Sequence, residues 1–442
     1  MFVQIARFSA GPRRVGALTL ALVFSASAEI ALPPPTTNSP APAVSKLSLV
    51  EARRVAFLRN WDILAAKSDV DIATAQSIVS HEYPNPTASL STAKISVDDH
   101  PSSTVMGNGF WERSYDTIAA INQQVEIGGK RRARQQSTDA GLRGAGARLA
   151  DTRRILNAGV TQAYVGVLLA ERKRQILLDS AASLRQEAKI AEARQQAGEI
   201  SLADKAQIEI AAQRLDLDAQ AAEADAHKAR VDLEVLLGEK TPQGKIQLAD
   251  ELEPLAEPPS LTKNSTAFAR RPDIIAAESA RTKAEADLRL QKAMRIPDPT
   301  FLAQYEHEPP DQPNTVGFGV SFPLPLWNRN RGNIKSAEAT LDQTADQLEK
   351  ISAQAVAEIA TAQTSYDFAL SRWQSYRDEL TPKSRQVRET VVFAYQKGGA
   401  SLLDLLSAQR NDNDVRLATA QAAADTASAA AALRAALNAP EK

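Results

Sequence analysis

The sequence has no cysteine. Disulfides, thiolate metal sites, cysteine nucleophiles and lipid attachment through an N-terminal cysteine are therefore excluded. It has only four histidines, too few and too scattered to suggest a metal centre. Aromatics make up 5% of the 442 residues, which is thin for large conventional cores. Neither sign of charge dominates: 52 Lys+Arg stand against 53 Asp+Glu, a formal net of −1. A general nucleic-acid binder needs a basic excess, so nucleic acid is not an expected partner. There is no phosphate-cradling glycine loop and no His–carboxylate–Ser set near a recognisable motif, so neither an enzyme nor a cofactor is expected. Gly107-Asn108-Gly109 reads as a turn. What dominates instead is long, alanine-rich, charge-mixed stretches, the composition of long helices in close contact.

The N-terminus reads as a secretory signal peptide, residues 1–28. Arg7, Arg13 and Arg14 form its basic region, Val15 to Phe24 its apolar run, and Ser25-Ala26-Ser27-Ala28 its cleavage site. The run is too short for a membrane helix, and no other stretch approaches the about 20 apolar residues such a helix needs. A proline-rich tether, 29–46, follows.

From there the chain repeats itself. Asp62-Ile63-Leu64-Ala65-Ala66-Lys67-Ser68 returns as Asp273-Ile274-Ile275-Ala276-Ala277-Glu278-Ser279. Tyr83-Pro84-Asn85-Pro86-Thr87 returns as Ile296-Pro297-Asp298-Pro299-Thr300, and Gly198, Ser201, Leu202 and Asp204 return as Gly398, Ser401, Leu402 and Asp404. Three matches in the same order indicate a duplication. The copies span 47–240 and 263–442, with a proline-containing segment, 241–262, between them.

Each copy predicts an entering helix of about 30 residues, ended by its two prolines, then two strands, a long helix, a tight turn and a return helix. The helical hairpins span 130–238 and 330–438. Each long helix, about Lys130 to Gly198 and Gly332 to Gly398, would reach ~100 Å at the helical rise. The first carries a 4-3 seam: Leu156, Val160, Ala163, Val167, Ala170, Leu177, Ala181, Leu184, Ala188 and Ala191, broken at Arg174.

The strands are expected at 85–97, 114–127, 298–308 and 314–326. In the last, Val316, Phe318, Val320, Phe322 and Leu324 alternate with small or polar residues. Each strand is long enough to cross a bilayer when tilted, and Tyr83, Phe110, Trp111, Tyr115 and Trp327 lie at strand ends as interfacial aromatics would. A soluble antiparallel sheet with one wet face gives the same alternation. In lipid, however, four strands leave two raw edges, so the chain must oligomerise to close a barrel. The connections Asp98–Arg113 and Pro309–Pro313 would face outward. Asp98-Asp99-His100 and Glu306-His307-Glu308 lie in or beside them; such groups can ligate metal but read as solvated loop, and no metal site is assigned. His81 and His227 read as surface or packing residues on helices.

At the turns, Gly198 and Gly398 suit a helix end with positive φ, and Ser201 with Asp204, like Ser401 with Asp404, suits a capping box. The two aspartates could also form carboxylate rings that gate a tube.

This plan resembles the TolC family of outer-membrane efflux channels. The likeness rests on Pro297-Asp298-Pro299-Thr300, on Pro323-Leu324-Pro325-Leu326-Trp327-Asn328-Arg329-Asn330, and on the tip Gly398 to Asp404. Within the family, Arg295-Ile296-Pro297-Asp298-Pro299-Thr300 followed by Pro323-Leu324-Pro325-Leu326, Asn328-Arg329-Asn330 and Gly332 resembles the outer-membrane subunits of cobalt–zinc–cadmium efflux systems. The resemblance implies a mainly α fold with a small β part: a homotrimer with a twelve-stranded transmembrane barrel continued by a periplasmic α-helical barrel. It implies a passive conduit in the outer membrane, in contact with lipid, docked to a periplasmic adaptor and an inner-membrane RND pump. Docking would use the tips, Gly198, Ser201, Leu202, Gly398, Ser401 and Leu402. Asp404 matches a gating position, with Asp204 its counterpart in the first copy; Ala400 and Ser407 stand where some members carry an arginine and a second aspartate. Export of organic compounds, type I protein secretion, or a coiled-coil adaptor without a barrel are the competing functions.

Overall fold

The computed structural model describes residues 46–93, 116–255, 271–308 and 312–439. The leader 1–28 and the tether up to residue 45 lie outside them, as do the 98–113 connection, Phe110, Trp111, Tyr115 and Asp98-Asp99-His100. The first copy folds as α1 (Leu49–Arg59), α2 (Trp61–His81), β1 (Thr87–Ala93), β2 (Asp116–Gln124), α3 (Lys130–Gln196) and α4 (Leu202–Leu236). A short α5 (Leu252–Leu255) precedes the second copy. That copy comprises α6 (Pro272–Ala293), β3 (Thr300–Glu308), β4 (Gln312–Ser321), α7 (Arg331–Ser375), a π-helical turn Tyr376–Leu380, α8 (Thr381–Gln396) and α9 (Leu402–Ala436).

The entering helix of the first copy is not continuous. Asn60 leaves the helical region, and its side chain accepts from the N–H groups of Asp62 and Ile63. Its amide donates to the Leu236 carbonyl at 3.0 Å, so the break is fastened to the end of α4. The second long helix is not continuous either. Pro382 has no N–H, and its ring crowds the carbonyl four residues back. The backbone absorbs this as the π turn, in which the Thr381 N–H bonds to Tyr376 rather than to the residue one position later. The strand expected at 314–326 ends at Ser321, because Pro323 and Pro325 cannot donate to a ladder. Among the described residues the others run Thr87–Ala93, Asp116–Gln124 and Thr300–Glu308; residues 94–97 and 114–115 of the expected strands lie outside the described residues.

α3 is the spine. α2 and α4 pack along one side of it, α6 and α9 along the other, and α7 and α8 lie against α6 and α9. At 67 residues α3 is ~100 Å long on the helical rise. Its seam residues Leu156, Val160, Val167, Leu177, Ala181, Leu184 and Ala191 are buried. Arg174, the break in that seam, pairs with Glu223 on α4. α9 contributes Ala422, Ala423, Ala424 and Ala427, whose short side chains let the backbones approach.

Two polar knots hold the middle. Glu234, at the end of α4, accepts the N–H groups of Gln243, Gly244, Lys245 and Ile246 at 2.5, 2.7, 2.8 and 3.1 Å. Burial alone would raise its pKa; the four donors outweigh it and hold the carboxyl below its ordinary value. Arg271, only 1% exposed, donates to the Ala436 carbonyl at 2.7 Å and pairs with Asp273 and Glu358, both at 2.7 Å. Arg154 on α3 adds a bond to the Ala435 carbonyl at 3.1 Å. Two guanidiniums thus meet the carbonyl end of α9, where the helix dipole favours positive charge.

Candidate functional site

The four strands form one antiparallel sheet in the order β1-β2-β3-β4. Register sorts its side chains by chemistry. Ala88, Ile121, Ala303 and Phe318 form one cross-strand row, and Leu90, Ala119, Tyr305 and Val316 the next. These rows face one way, and their largest members are exposed, Phe318 at 84%. The opposite face carries Ser89, Ala120, Gln304 and Gly317, then Ser91, Ile118, Glu306 and Thr315. These two rows are small and polar apart from Ile118 and the alanine, and the next row on that face, Thr87, Asn122, Leu302 and Gly319, adds one leucine. A Cβ on Gly317 would sit 3.0 Å from Gln304 Cγ, so the glycine makes room for the glutamine. An apolar face turned outward is the reverse of what water selects. Among the described residues, the outer edges of β1 and β4 have no strand beside them.

At the far end of the helices lie the two hairpin turns. Gly198 and Gly398 adopt φ of +81° and +77°, and no atom lies within 4 Å of where a Cβ would stand on either. Ser201 and Asp204 cap reciprocally: the Asp204 N–H donates to Ser201 Oγ at 3.1 Å and the Ser201 N–H to Asp204 Oδ2 at 3.2 Å. Ser401 and Asp404 repeat this at 3.2 and 3.0 Å. The Ser401 hydroxyl and then its backbone hold the Asp404 carboxyl below its ordinary range. Both aspartates are thus committed to helix ends; Asp404 remains exposed and Asp204 is half-buried. The turns lie together, because Ala191, Ile208, Tyr395 and Leu405 form a shared buried cluster with Ile200, Ala400 and Leu402 against it. Leu202 stays exposed.

Sequence reasoning missed the polar link between the turns. Arg194 donates to the Tyr395 carbonyl at 3.1 Å and pairs with Glu199 at 3.0 Å. Gln396 donates to Glu187 at 3.1 Å, and burial raises the pKa of that carboxyl. Arg194 and Tyr395 stand four and three residues before their glycines, the only local signal they offer. Elsewhere, His307 is buried in β3 with Nδ1 3.3 Å from Asn314 Oδ1, and Glu306 and Glu308 have partners of their own. Among the described residues no group of three or more His, Asp or Glu could hold a metal. His81 caps α2 through the Ser77 carbonyl at 2.8 Å, and His227 lies against Gly244.

The model of the outer membrane efflux protein family matches residues 53–239 and 264–439, most of the chain on both sides of the inter-copy segment. The chain belongs to that family. It is 24% identical over 371 residues to the cobalt-zinc-cadmium resistance protein CzcC of Cupriavidus metallidurans, covering 84% of this chain and 85% of CzcC. It is also 24% identical over 371 residues to the pyoverdine export outer membrane protein OpmQ of Pseudomonas aeruginosa, covering 80% and 77% of the two chains. The crystal structure of CusC, described as forming a transmembrane channel, superposes with a TM-score of 0.76 at 18% identity, covering 88% of this chain and 91% of CusC. The residues matched by the family model include all four strands and both helical turns.

Proposed function

We propose that this chain is the outer-membrane channel subunit of a tripartite RND-type efflux system. Three copies close their sheets into a twelve-stranded barrel and their helices into a periplasmic tube, through which divalent heavy-metal cations pass without catalysis. The observation that carries the reading is the sheet, with its apolar face exposed and both edges open. In lipid an open edge leaves backbone groups unsatisfied, so each sheet must join another. The helical edges fit the same closure. Ile72, Val79, Ile210 and Leu217 on α2 and α4, and Val356, Phe368, Val387 and Phe393 on α7 and α8, are exposed apolar residues on the two outer edges of the helical row.

The tips dock the periplasmic adaptor that links to the inner-membrane pump. Asp204 and Asp404, repeated around the threefold axis, place carboxylate rings at the closed end. Similarity to CzcC favours metal as the cargo, and similarity to OpmQ supports organic compounds as the second reading. The test is cellular zinc, cobalt and cadmium after metal challenge, with the gene deleted and then restored. Accumulation that restoration reverses is the expected result. Unchanged metal content in all three strains would overturn the metal cargo in favour of organic export.

A further inference from the structure

We infer that the end of the sheet next to the helices carries a binding surface for anionic phospholipid headgroups. This rests on the proposal that the apolar sheet face lies in lipid. The antiparallel order brings four connections to that end: 82–86 before β1, with Glu82 and the exposed Tyr83, then 125–129 after β2, 294–299 before β3, and 322–330 after β4. The last three pass from exposed apolar to basic residues within a few positions. Val125 and Ile127 lead into Lys130, Arg131 and Arg132. Met294 and Ile296 flank Arg295, with Arg289 one turn earlier. Phe322, Leu324 and Leu326 continue the exposed face of β4 down to Trp327, 93% exposed, and then to Arg329 and Arg331.

Some of these cations are already neutralised. Lys130 pairs with Asp298 at 2.7 Å and Arg134 with Glu126 at 2.6 Å. Arg131 lies 4.0 Å over the Tyr83 ring and donates to the His81 carbonyl. Arg132, Arg289, Arg295, Arg329 and Arg331 have no carboxylate partner among the described residues, and all five are exposed. Arg132 and Arg289 line one cleft of about 460 Å³ with Gly128 and Gly129.

In a chain whose charges balance overall, five unneutralised guanidiniums gathered at the lip of an apolar surface call for a counter-charge. A guanidinium offers a planar fork that matches phosphate oxygens. A tryptophan at the same level sits where bilayer headgroups begin. The occupant that meets both the apolar face and the arginines is a lipid with a net negative headgroup, since acyl chains cover the strands while its phosphate meets the arginines. Each arginine near such a surface favours anionic lipid by about fivefold.

The test uses the full chain reconstituted in phosphatidylcholine bilayers, with spin-labelled phosphatidylglycerol or phosphatidylcholine as probe. The relative association of the two is read from the motionally restricted lipid. We expect a several-fold preference for phosphatidylglycerol, lost in Arg295→Gln/Arg329→Gln/Arg331→Gln and reduced in Arg132→Gln/Arg289→Gln. Lys350→Gln/Arg410→Gln, which removes exposed charge far from the sheet, should keep it. Because every substitution is at an exposed residue, helical content should match the parent and show that folding is intact. A restricted component without headgroup preference, or a preference that the arginine variants keep, overturns this inference while leaving the barrel standing. Absence of any restricted lipid overturns both. Displacement of the label by inorganic phosphate, beyond that by chloride at equal ionic strength, would assign the arginines to free phosphate and overturn the lipid assignment.

Discussion

Replacing Gly238 by alanine should damage this protein far more than the same change at Gly398, although both glycines end a helix with nearly the same backbone. Their φ angles are +78° and +77°. An alanine in this left-handed region costs about 1–2 kcal/mol at either site. The surroundings differ. A Cβ on Gly238 would lie 2.3 Å from the Arg59 carbonyl oxygen and 2.6 Å from its carbon, whereas Gly398 has nothing within 4 Å. The Arg59 backbone cannot swing away like a side chain, because Asn60 is tied to α4 through the Leu236 carbonyl. Overpacking of this kind adds about 1–3 kcal/mol. The totals are then about 1–2 kcal/mol for Gly398→Ala and about 2–5 kcal/mol for Gly238→Ala. Amide hydrogen exchange reads this locally, at roughly tenfold per 1.4 kcal/mol. The amides ending α4 and opening α2 should exchange at least about 30-fold faster in Gly238→Ala. Those ending α8 in Gly398→Ala should change by about 5–30-fold. Equal changes at the two sites would refute the argument that backbone contact, not φ, sets the difference.

Three further outcomes follow from other parts of the molecule. Arg271→Ala should cost about 1–3 kcal/mol, since the Ala436 carbonyl loses its buried donor while Arg154 still reaches Asp273 and Glu358; thermal unfolding in detergent measures it. Glu234→Ala should expose the 243–246 loop to protease by leaving four N–H groups without their acceptor. The pKa of Glu234 is depressed in the folded state, so its contribution is present above the ordinary carboxylate range. Protease sensitivity of the parent should therefore rise as pH falls through the folded pKa, and the alanine variant should lack that dependence. Phe318→Arg, on the outward apolar face, should cost about 2–4 kcal/mol near the bilayer midplane and lower insertion, while Thr315→Arg on the opposite face should insert normally; fractionation of membranes compares them.

Much of this was legible because the deciding interactions are local. The Gly–Ser–Asp pattern at each tip is satisfied within one turn, so spacing alone identified helix end and capping box. The alternation of β4 from Val316 to Val320 needs no knowledge of its neighbours. The breaks were harder. Asn60 looks like an ordinary helix-surface residue until the end of α4 supplies its second partner. Pro382 interrupts a periodicity that continues on both sides, so the pattern reads as one helix while the backbone inserts a π turn. Strand ends were overextended because alternation persists through Phe322 and Leu324 after the prolines have stopped the ladder. The knots at Glu234 and Arg271 join segments whose partners are fixed only by packing. Arg194 and Tyr395 at the tips meet across two copies and carry no shared motif.

Closure of the sheet by further copies of the same chain is the central claim, and the most direct test is the mass of the detergent-solubilised particle by multi-angle light scattering, with detergent mass subtracted. The account predicts three chains per particle, with four strands from each. A well-behaved monomer, soluble without detergent, would contradict it.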